Sequence, residues 1–243
     1  MSLNIEDYAL IGDCETAALI GRDGSVDWLC WPRFDSDACF AGLLGTPEHG
    51  RWLVAPQQEA GVTRRYLGDT LILETRFETK EGAVRLVDFM PPRDSHSNMV
   101  RLVIGEAGRV AMRMELIVRL GYGALVPWVH RQDGWTLRAI GGADQVVLRT
   151  PLPVQLEDQK IVGSFTIAED EVMPFTLTYA PSHLPPPEPI DPPTALTEAE
   201  RFWLEWSARA RVEDGERRGA RSPREPAPMS FGSTVSSRSA ALS

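Results

Sequence analysis

The sequence predicts a mainly β protein: a large antiparallel β-sandwich followed by a Pro-rich linker and one C-terminal helix. Three observations carry this. Short apolar segments separated by turn residues recur from Tyr8 to Tyr179, about twelve or more of them. Within them apolar residues alternate with polar ones, which places one set on each face of a strand. The pattern ends at Ala180, where APSHLPPPEPIDPPTAL begins. The expected organisation is a β-sandwich domain over residues 1–180, a linker over 181–196, a helix over 197–211 and a tail over 212–243.

Tyr8–Ile11 and Thr16–Ile20 open the series as apolar runs. Gly21-Arg22-Asp23-Gly24 reads as a hairpin turn, because glycine tolerates positive φ. Ser25–Trp31 has Val26, Trp28 and Cys30 on one face and Leu29 and Trp31 on the other, as in a strand covered on both sides. Ala38–Leu44 is a short helix candidate. Arg51–Ala55, Thr63–Leu67, Leu71–Thr79 and Ala83–Met90 read as strands, the last two joined by a turn at Glu81-Gly82. Met99–Ile104 and Val110–Leu120 read as a further pair; in the second, Met112, Met114, Leu116 and Val118 share one face as core residues. Trp135–Ile140, Gln145–Thr150, Lys160–Ala168 and Phe175–Tyr179 complete the set.

The proline-dense segment after Ala180 reads as extended and fairly stiff. Thr197 and Glu200 have the spacing of a capping box. Phe202, Trp203, Trp206 and Ala210 follow at helical spacing, so this aromatic face needs a partner; left bare, it favours self-association. From Val212 onward few large apolar residues occur, which reads as disorder.

The 243 residues are 43% hydrophobic, enough for one sizeable core. The net charge of −9, with no basic stripe, argues against nucleic acid and anionic membrane as partners. No signal peptide and no membrane-spanning apolar run is visible, so the expected location is cytoplasmic. Cys14, Cys30 and Cys39 are odd in number and form no CxxC, so they read as reduced thiols.

His49, His96, His130 and His183 are scattered, so no metal site and no cofactor is expected. GxSxG, P-loop and GxGxxG motifs are missing from the required contexts. Asp13, Glu15, Asp27, Asp35, Asp37 and Asp88 are candidate carboxylates, but no spacing selects a catalytic pair. Asp13, Asp23 and Asp35 read as turn residues and Glu169-Asp170-Glu171 as a solvated loop.

The stretch DWLCWPRFDS is denser in chemistry. Aromatic rings stack on the apolar side of a pyranose while Asp and Arg hydrogen-bond its hydroxyls. Pro32 ends the strand, displaying Arg33, Phe34, Asp35 and Ser36 as a loop. The structural alternative places Trp28 and Trp31 in core packing, with Asp35 and Ser36 capping the short helix.

IEDYALIGDCETAALIGRDGSVDWLCWPRFDSDACFAGLLG, then HGRWLVAP, RYLGDTLILETRFET, VRLVDFMP, RVAMRMELIVRLGYG, VPWV and FWLEW, resembles the opening of bacterial and archaeal glycoside hydrolase family 15 proteins, over residues 4–210. The resemblance implies an antiparallel supersandwich joined by a linker helix to an (α/α)6 barrel that hydrolyses α-glucosidic bonds with inversion. The family's two catalytic glutamates lie in that barrel, so no catalytic residue carries over to this chain. Trp31, Pro32, Arg33, Phe34, Asp35 and Ser36 carry over as substrate-rim or domain-interface residues, and Phe202, Trp203 and Trp206 as the linker-helix interface. An α-glucan or trehalose-type sugar is then a partner only through the barrel. The sequence after Ala210 departs from the family pattern, as a frameshift or truncation would make it.

Three functions compete. The chain is the non-catalytic N-terminal part of a glucoamylase- or trehalase-like enzyme; or a free-standing carbohydrate-binding or assembly module with Trp31 and Phe34 exposed in a groove; or an enzyme with two carboxylates converging in one concave site on the sandwich.

Overall fold

The computed structural model describes residues 3–209. They form one fifteen-stranded antiparallel sheet, folded back on itself, and a single α-helix. The expectation of disorder over residues 212–243 falls outside the described residues.

The first strands follow the apolar runs closely: β1 (Tyr8–Gly12), β2 (Ala17–Gly21) and β3 (Ser25–Cys30). The β2–β3 turn forms as expected, with Gly24 at φ +82° and its amide bonded to Gly21 O at 3.0 Å. A Cβ on Gly24 would stand 2.3 Å from Val54 O, so the turn needs glycine for space as well as for φ. Ala38–Leu44 is not a helix. Ala38–Phe40 is a short strand, β4, paired with β3, and only Gly42–Leu44 makes a 3₁₀ turn. Ala38, Cys39 and Phe40 are all buried, which suits a strand covered on both faces better than a short surface helix.

β5 (Arg51–Pro56), β6 (Gly61–Tyr66), β7 (Leu73–Glu78) and β8 (Gly82–Phe89) precede the longest strand. Met99–Ile104 and Val110–Leu120 are not a hairpin. They belong to one strand, β9 (Asn98–Ile117). GEAGR reads as a turn because of its glycines, yet the chain only bends there. A Cβ on Gly105 would lie 1.8 Å from Ala168 O, and Gly108 has φ +65°. The glycines therefore serve close backbone approach at a sheet corner rather than reversal.

β10 (Trp128–Arg131), β11 (Thr136–Gly141), β12 (Asp144–Arg149), β13 (Gln155–Glu157), β14 (Lys160–Ala168) and β15 (Val172–Pro181) follow. The N-terminal half of β9 pairs with β8 and β15, and its C-terminal half with β5 and β14. One group of strands thus runs β1-β2-β3-β5-β9-β14-β13 and the other β7-β8-β9-β15-β12-β11-β10, with β6 outside β7. The inner faces meet in one core: Trp52 on β5 stands edge-on to Phe175 on β15 at 6.5 Å, and Phe165 on β14 meets the same ring at 5.9 Å. Met112 and Met114 are fully in this core, as their alternation requires.

An ion pair lies at its centre. Arg101 and Asp88 have side chains with no solvent exposure and meet at 2.7 Å. The guanidinium also donates to Trp52 O and Gly24 O, each at 2.7 Å, and lies 5.1 Å from the Trp52 ring centroid. Every acceptor around it is used to hold strands and the Gly24 turn together, so Asp88 is a structural carboxylate.

The linker is strapped to β12. Gln145 Nε2 donates to Pro181 O and Leu184 O, both at 2.9 Å, and Arg149 donates to Pro187 O. The helix α1 (Pro192–Arg209) begins five residues before the expected Thr197. Asp191 is its cap, accepting from the Thr194 amide at 3.1 Å, with Pro192 and Pro193 in the first turn where no amide is needed. Thr197 Oγ1 bonds Pro193 O at 3.1 Å inside the helix, so the Thr197/Glu200 capping box does not form. Ala195 and Ala199 of the helix pack on Ile72 just before β7, Val87 and Phe89 of β8, and Val100 and Leu102 of β9. Trp203 is buried, edge-on to Phe202 at 5.2 Å and to Trp206 at 5.9 Å. No helix among the described residues is long and apolar enough to cross a membrane.

Candidate functional site

The segment after β3 was the densest in chemistry, and the structure splits it in two. Trp31 is 4% exposed and packs in the core, its ring 6.2 Å from that of Tyr179. A groove with Trp31 displayed beside Phe34 is therefore not formed. Arg33, Phe34 and Asp35 are displayed, Phe34 at 57% exposure. Asp35 and Ser36 do not cap a helix, since the strand β4 follows them. Asp35 holds the Arg33 guanidinium at 2.6 and 2.9 Å, and Ser36 Oγ accepts the Arg33 amide at 3.1 Å. The loop is thus self-braced. It is pinned to the β1–β2 turn by the Phe34 amide on Glu15 O at 3.0 Å.

That turn is itself locked. Asp13 Oδ1 accepts the Thr16 amide at 2.8 Å, while Oδ2 takes Arg93 at 2.8 Å and Ser97 Oγ at 2.6 Å. Asp27 accepts from Tyr8 Oη at 2.7 Å and Ser25 Oγ at 2.5 Å. Burial, and then the Asp27 bond, pushes the Tyr8 phenol well above its usual range. With Asp88 in the core, three of the six candidate carboxylates are structural, and Asp35 and Glu15 are exposed.

Asp37 is different. It lines a cavity of about 330 Å³ together with Trp31, Pro32, Ser36, Cys39, Asp144 and Tyr179. Leu120, Gly121, Leu125 and the Gly141–Gly142 turn between β11 and β12 close the other side. Tyr179 Oη donates to Asp144 Oδ1 at 2.6 Å; burial, and then that bond, pushes the phenol up, so it stays a donor at any ordinary pH. Burial pushes the Cys39 thiol up as well, which makes it an inert wall rather than a nucleophile. No Lys, Arg or His lines this cavity. Sequence reasoning missed Asp144 and Tyr179, because the pairing of β12 with β15 brings them together and only side-chain packing brings Tyr179 to Trp31. The one local trace was the glycine pair before Asp144.

Beside the cavity, the connection from β9 to β10 carries Tyr122, Leu125 and Val126, and Trp128 opens β10, each at least 43% exposed. The Leu120↔Leu125 bridge folds this loop tightly, and the Tyr122 ring lies 6.2 Å from Trp28. Large apolar groups displayed in one loop are the usual mark of a docking surface. The described residues hold no cluster of three His, Cys, Asp or Glu suited to a metal ion.

A family model described as trehalase-like, N-terminal, matches residues 1–174. The chain belongs to this family. Trehalase-like N-terminal domains occur in glycoside hydrolase-type proteins, and curated relatives bear this out. A trehalase of Thermoplasma volcanium is 24% identical over 84% of this chain and 34% of its own length. A trehalase of Mycolicibacterium smegmatis is 43% identical over 32% of this chain and 12% of its own length. Trehalase 2 of Sulfolobus acidocaldarius is 35% identical over 35% of this chain and 14% of its own length. The chain thus spans about a third or less of the length of these relatives.

Proposed function

We propose that this chain is the non-catalytic N-terminal domain of an α-glucoside hydrolase of glucoamylase or trehalase type, glycoside hydrolase family 15, and that it packs against an (α/α)6 catalytic barrel. The family match over residues 1–174 carries the reading. Two features support it. Most candidate carboxylates are tied up in ion pairs and turns rather than facing a cleft, and the displayed Phe34, Tyr122, Leu125, Val126 and Trp128 offer a barrel an apolar docking face. The sugar is then met through the barrel, and the loop from Trp31 to Ser36 belongs to the rim of that contact.

One observation favours the enzymatic alternative: Asp37 and Asp144 line the same cavity. The test therefore has two arms. Purified chain incubated with trehalose or maltooligosaccharides is expected to release no glucose; turnover abolished by Asp37→Asn or Asp144→Asn would replace the proposal with an enzyme. Mixed with the Thermoplasma volcanium trehalase lacking its matched third, the chain should sediment as a complex. The double variant Tyr122→Ser/Trp128→Ser should not. A complex insensitive to both substitutions would remove this loop from the interface, and no complex with either protein would count against packing on a barrel.

A further inference from the structure

One glutamine governs the route by which the chain leaves the sandwich. β15 pairs with β12 out to Asp144↔Pro181, and from there a straight strand would run on past the β11–β12 turn. It reverses instead. The Leu184 amide bonds Pro181 O at 3.2 Å. Ser182 is tied to the β11–β12 turn, its amide to Ala143 O at 2.8 Å and its hydroxyl to Gly142 O at 2.9 Å. The linker then runs back along β12, from Gln145 to Arg149. These two share the face of β12 turned away from the core residues Val146 and Leu148.

The two anchors are unequal. Gln145 has no solvent exposure, and its whole amide is used. Its Oε1 accepts Arg138 Nε at 2.9 Å and Nη2 at 2.7 Å, while Nε2 donates to Pro181 O and Leu184 O, both at 2.9 Å. A guanidinium can only donate, so Arg138 fixes the orientation of the amide and aims both of its N–H groups at the linker. Arg149 is less well served. Its Nη2 donates to Pro187 O, but Nη1 is buried with no hydrogen-bond partner among the described residues. Burial pushes the Arg149 pKa down, against the pull of Glu188 and Asp133. A buried donor without a partner destabilises the closed arrangement, and water relieves it once the linker lifts.

We infer that the linker and α1 form a strap that opens from its Arg149 end about a hinge at Gln145, and that Gln145 is the residue that positions the chain as it leaves the sandwich. Closed, the strap lays Ile190 and Leu196 against the apolar cluster that includes Ile72, Val87 and Phe89, and seats α1 there. Lifted at Pro187, it frees α1 while residues 181–184 stay clasped. The hinge needs an amide. A glutamate in the same place would keep Arg138 but set an acceptor against two carbonyl oxygens. Where a barrel follows, the strap sets how far it can swing; that consequence alone rests on the function proposed above.

The test is amide hydrogen exchange of the full ¹⁵N-labelled chain at pH 7, read residue by residue as protection factors. In the wild type, Ala195 and Ala199 of α1 should be about tenfold less protected than Ser182 and Leu184, because partial opening from the far end exposes only the helix. Gln145→Glu should cut the protection of Ser182 and Leu184 about tenfold, through loss of both donors to the linker, and leave the β12 and β15 amides as they were. Gln145→Met, which removes the same donors without burying a charge, should give the same pattern. Equal protection at both ends of the strap in the wild type would overturn the opening. Undiminished protection of Ser182 and Leu184 in both variants would overturn the clasp. A loss spread evenly over β12 and β15, or failure of both variants to fold, would show a residue that merely holds the sheet, and would overturn it too. Because every readout is an amide of this chain, failure to bind a barrel or to hydrolyse trehalose leaves the result unchanged.

Discussion

Arg101→Met removes the cation from the centre of the sandwich while keeping the length of its stem. The wild-type guanidinium makes four hydrogen bonds, to Asp88 Oδ1 at 2.7 Å, Asp88 Oδ2 at 3.3 Å, Trp52 O at 2.7 Å and Gly24 O at 2.7 Å. Gly24 O retains the Val54 amide at 3.2 Å, so its loss is partial. The main cost is Asp88, left fully buried without its counter-ion. Breaking a buried pair on one side costs about 3–5 kcal/mol, a large part of a domain's whole stability of roughly 5–15 kcal/mol. Burial already pushes the Asp88 carboxyl up, and Arg101 opposes that push. Without Arg101 the folded-state pKa rises further, so the native state holds a proton that the unfolded chain gives up near pH 4. Stability of the variant therefore falls as pH rises from about 4 through the raised folded-state value. The deficit against wild type should be smaller at pH 5 than at pH 7.5. Urea unfolding followed by tryptophan fluorescence measures both. The double variant Arg101→Met/Asp88→Leu should regain about 2 kcal/mol, because an apolar pair of similar volume leaves no orphan charge. A loss below about 1 kcal/mol, or a deficit that grows on acidification, would refute the account of a buried pair whose carboxylate cannot stand alone.

Two further changes probe the periphery. Glu74 is nearly buried; burial pushes its carboxyl up, but the bonds to Arg65 at 2.7 Å and Arg85 at 3.0 Å outweigh this and hold it below its usual value. Its contribution is therefore present above about pH 4.3 and lost as pH falls through the lower folded-state value, so Glu74→Gln should cost about 1 kcal/mol at pH 7 and flatten the acid limb of the stability curve. Trp203→Ala should cost about 3 kcal/mol and loosen α1, seen as faster protease cleavage between Pro185 and Arg209, with the unfolding of the sheet itself little changed.

Most strands were legible because period-2 alternation survives wherever one face meets the core, as in Met112, Met114 and Leu116. Three features were not. β9 looked like two strands because glycine serves both reversal and close approach, and only the partner backbone at Ala168 distinguishes them. Ala38–Phe40 was too short to show a period. The start of α1 was hidden because two prolines read as linker, although Asp191-Pro192 is also how a helix begins. For the site, Trp31 was found by its setting, and of its two readings core packing is the one the structure shows. The Trp28–Trp31 run looks the same whether a ring faces the core or solvent. Asp144 and Tyr179 lie more than a hundred residues away; register joins them to each other, and side-chain packing brings Tyr179 to Trp31.

The route of β9 also sets a schedule for synthesis. Its partners extend from β5 to β15, so the strand that joins the two halves of the sandwich has neighbours still to be made long after it emerges from the ribosome. Pairings this distant along the chain are slow to form, and the intervening states leave long unpaired edges. The first sixty or so residues can form hairpins early, but the corner at Gly105–Gly108 closes only when the turn at Glu169–Glu171 arrives to fill it. The interval between those two events is when a nascent chain of this kind is most exposed to aggregation and most in need of chaperones.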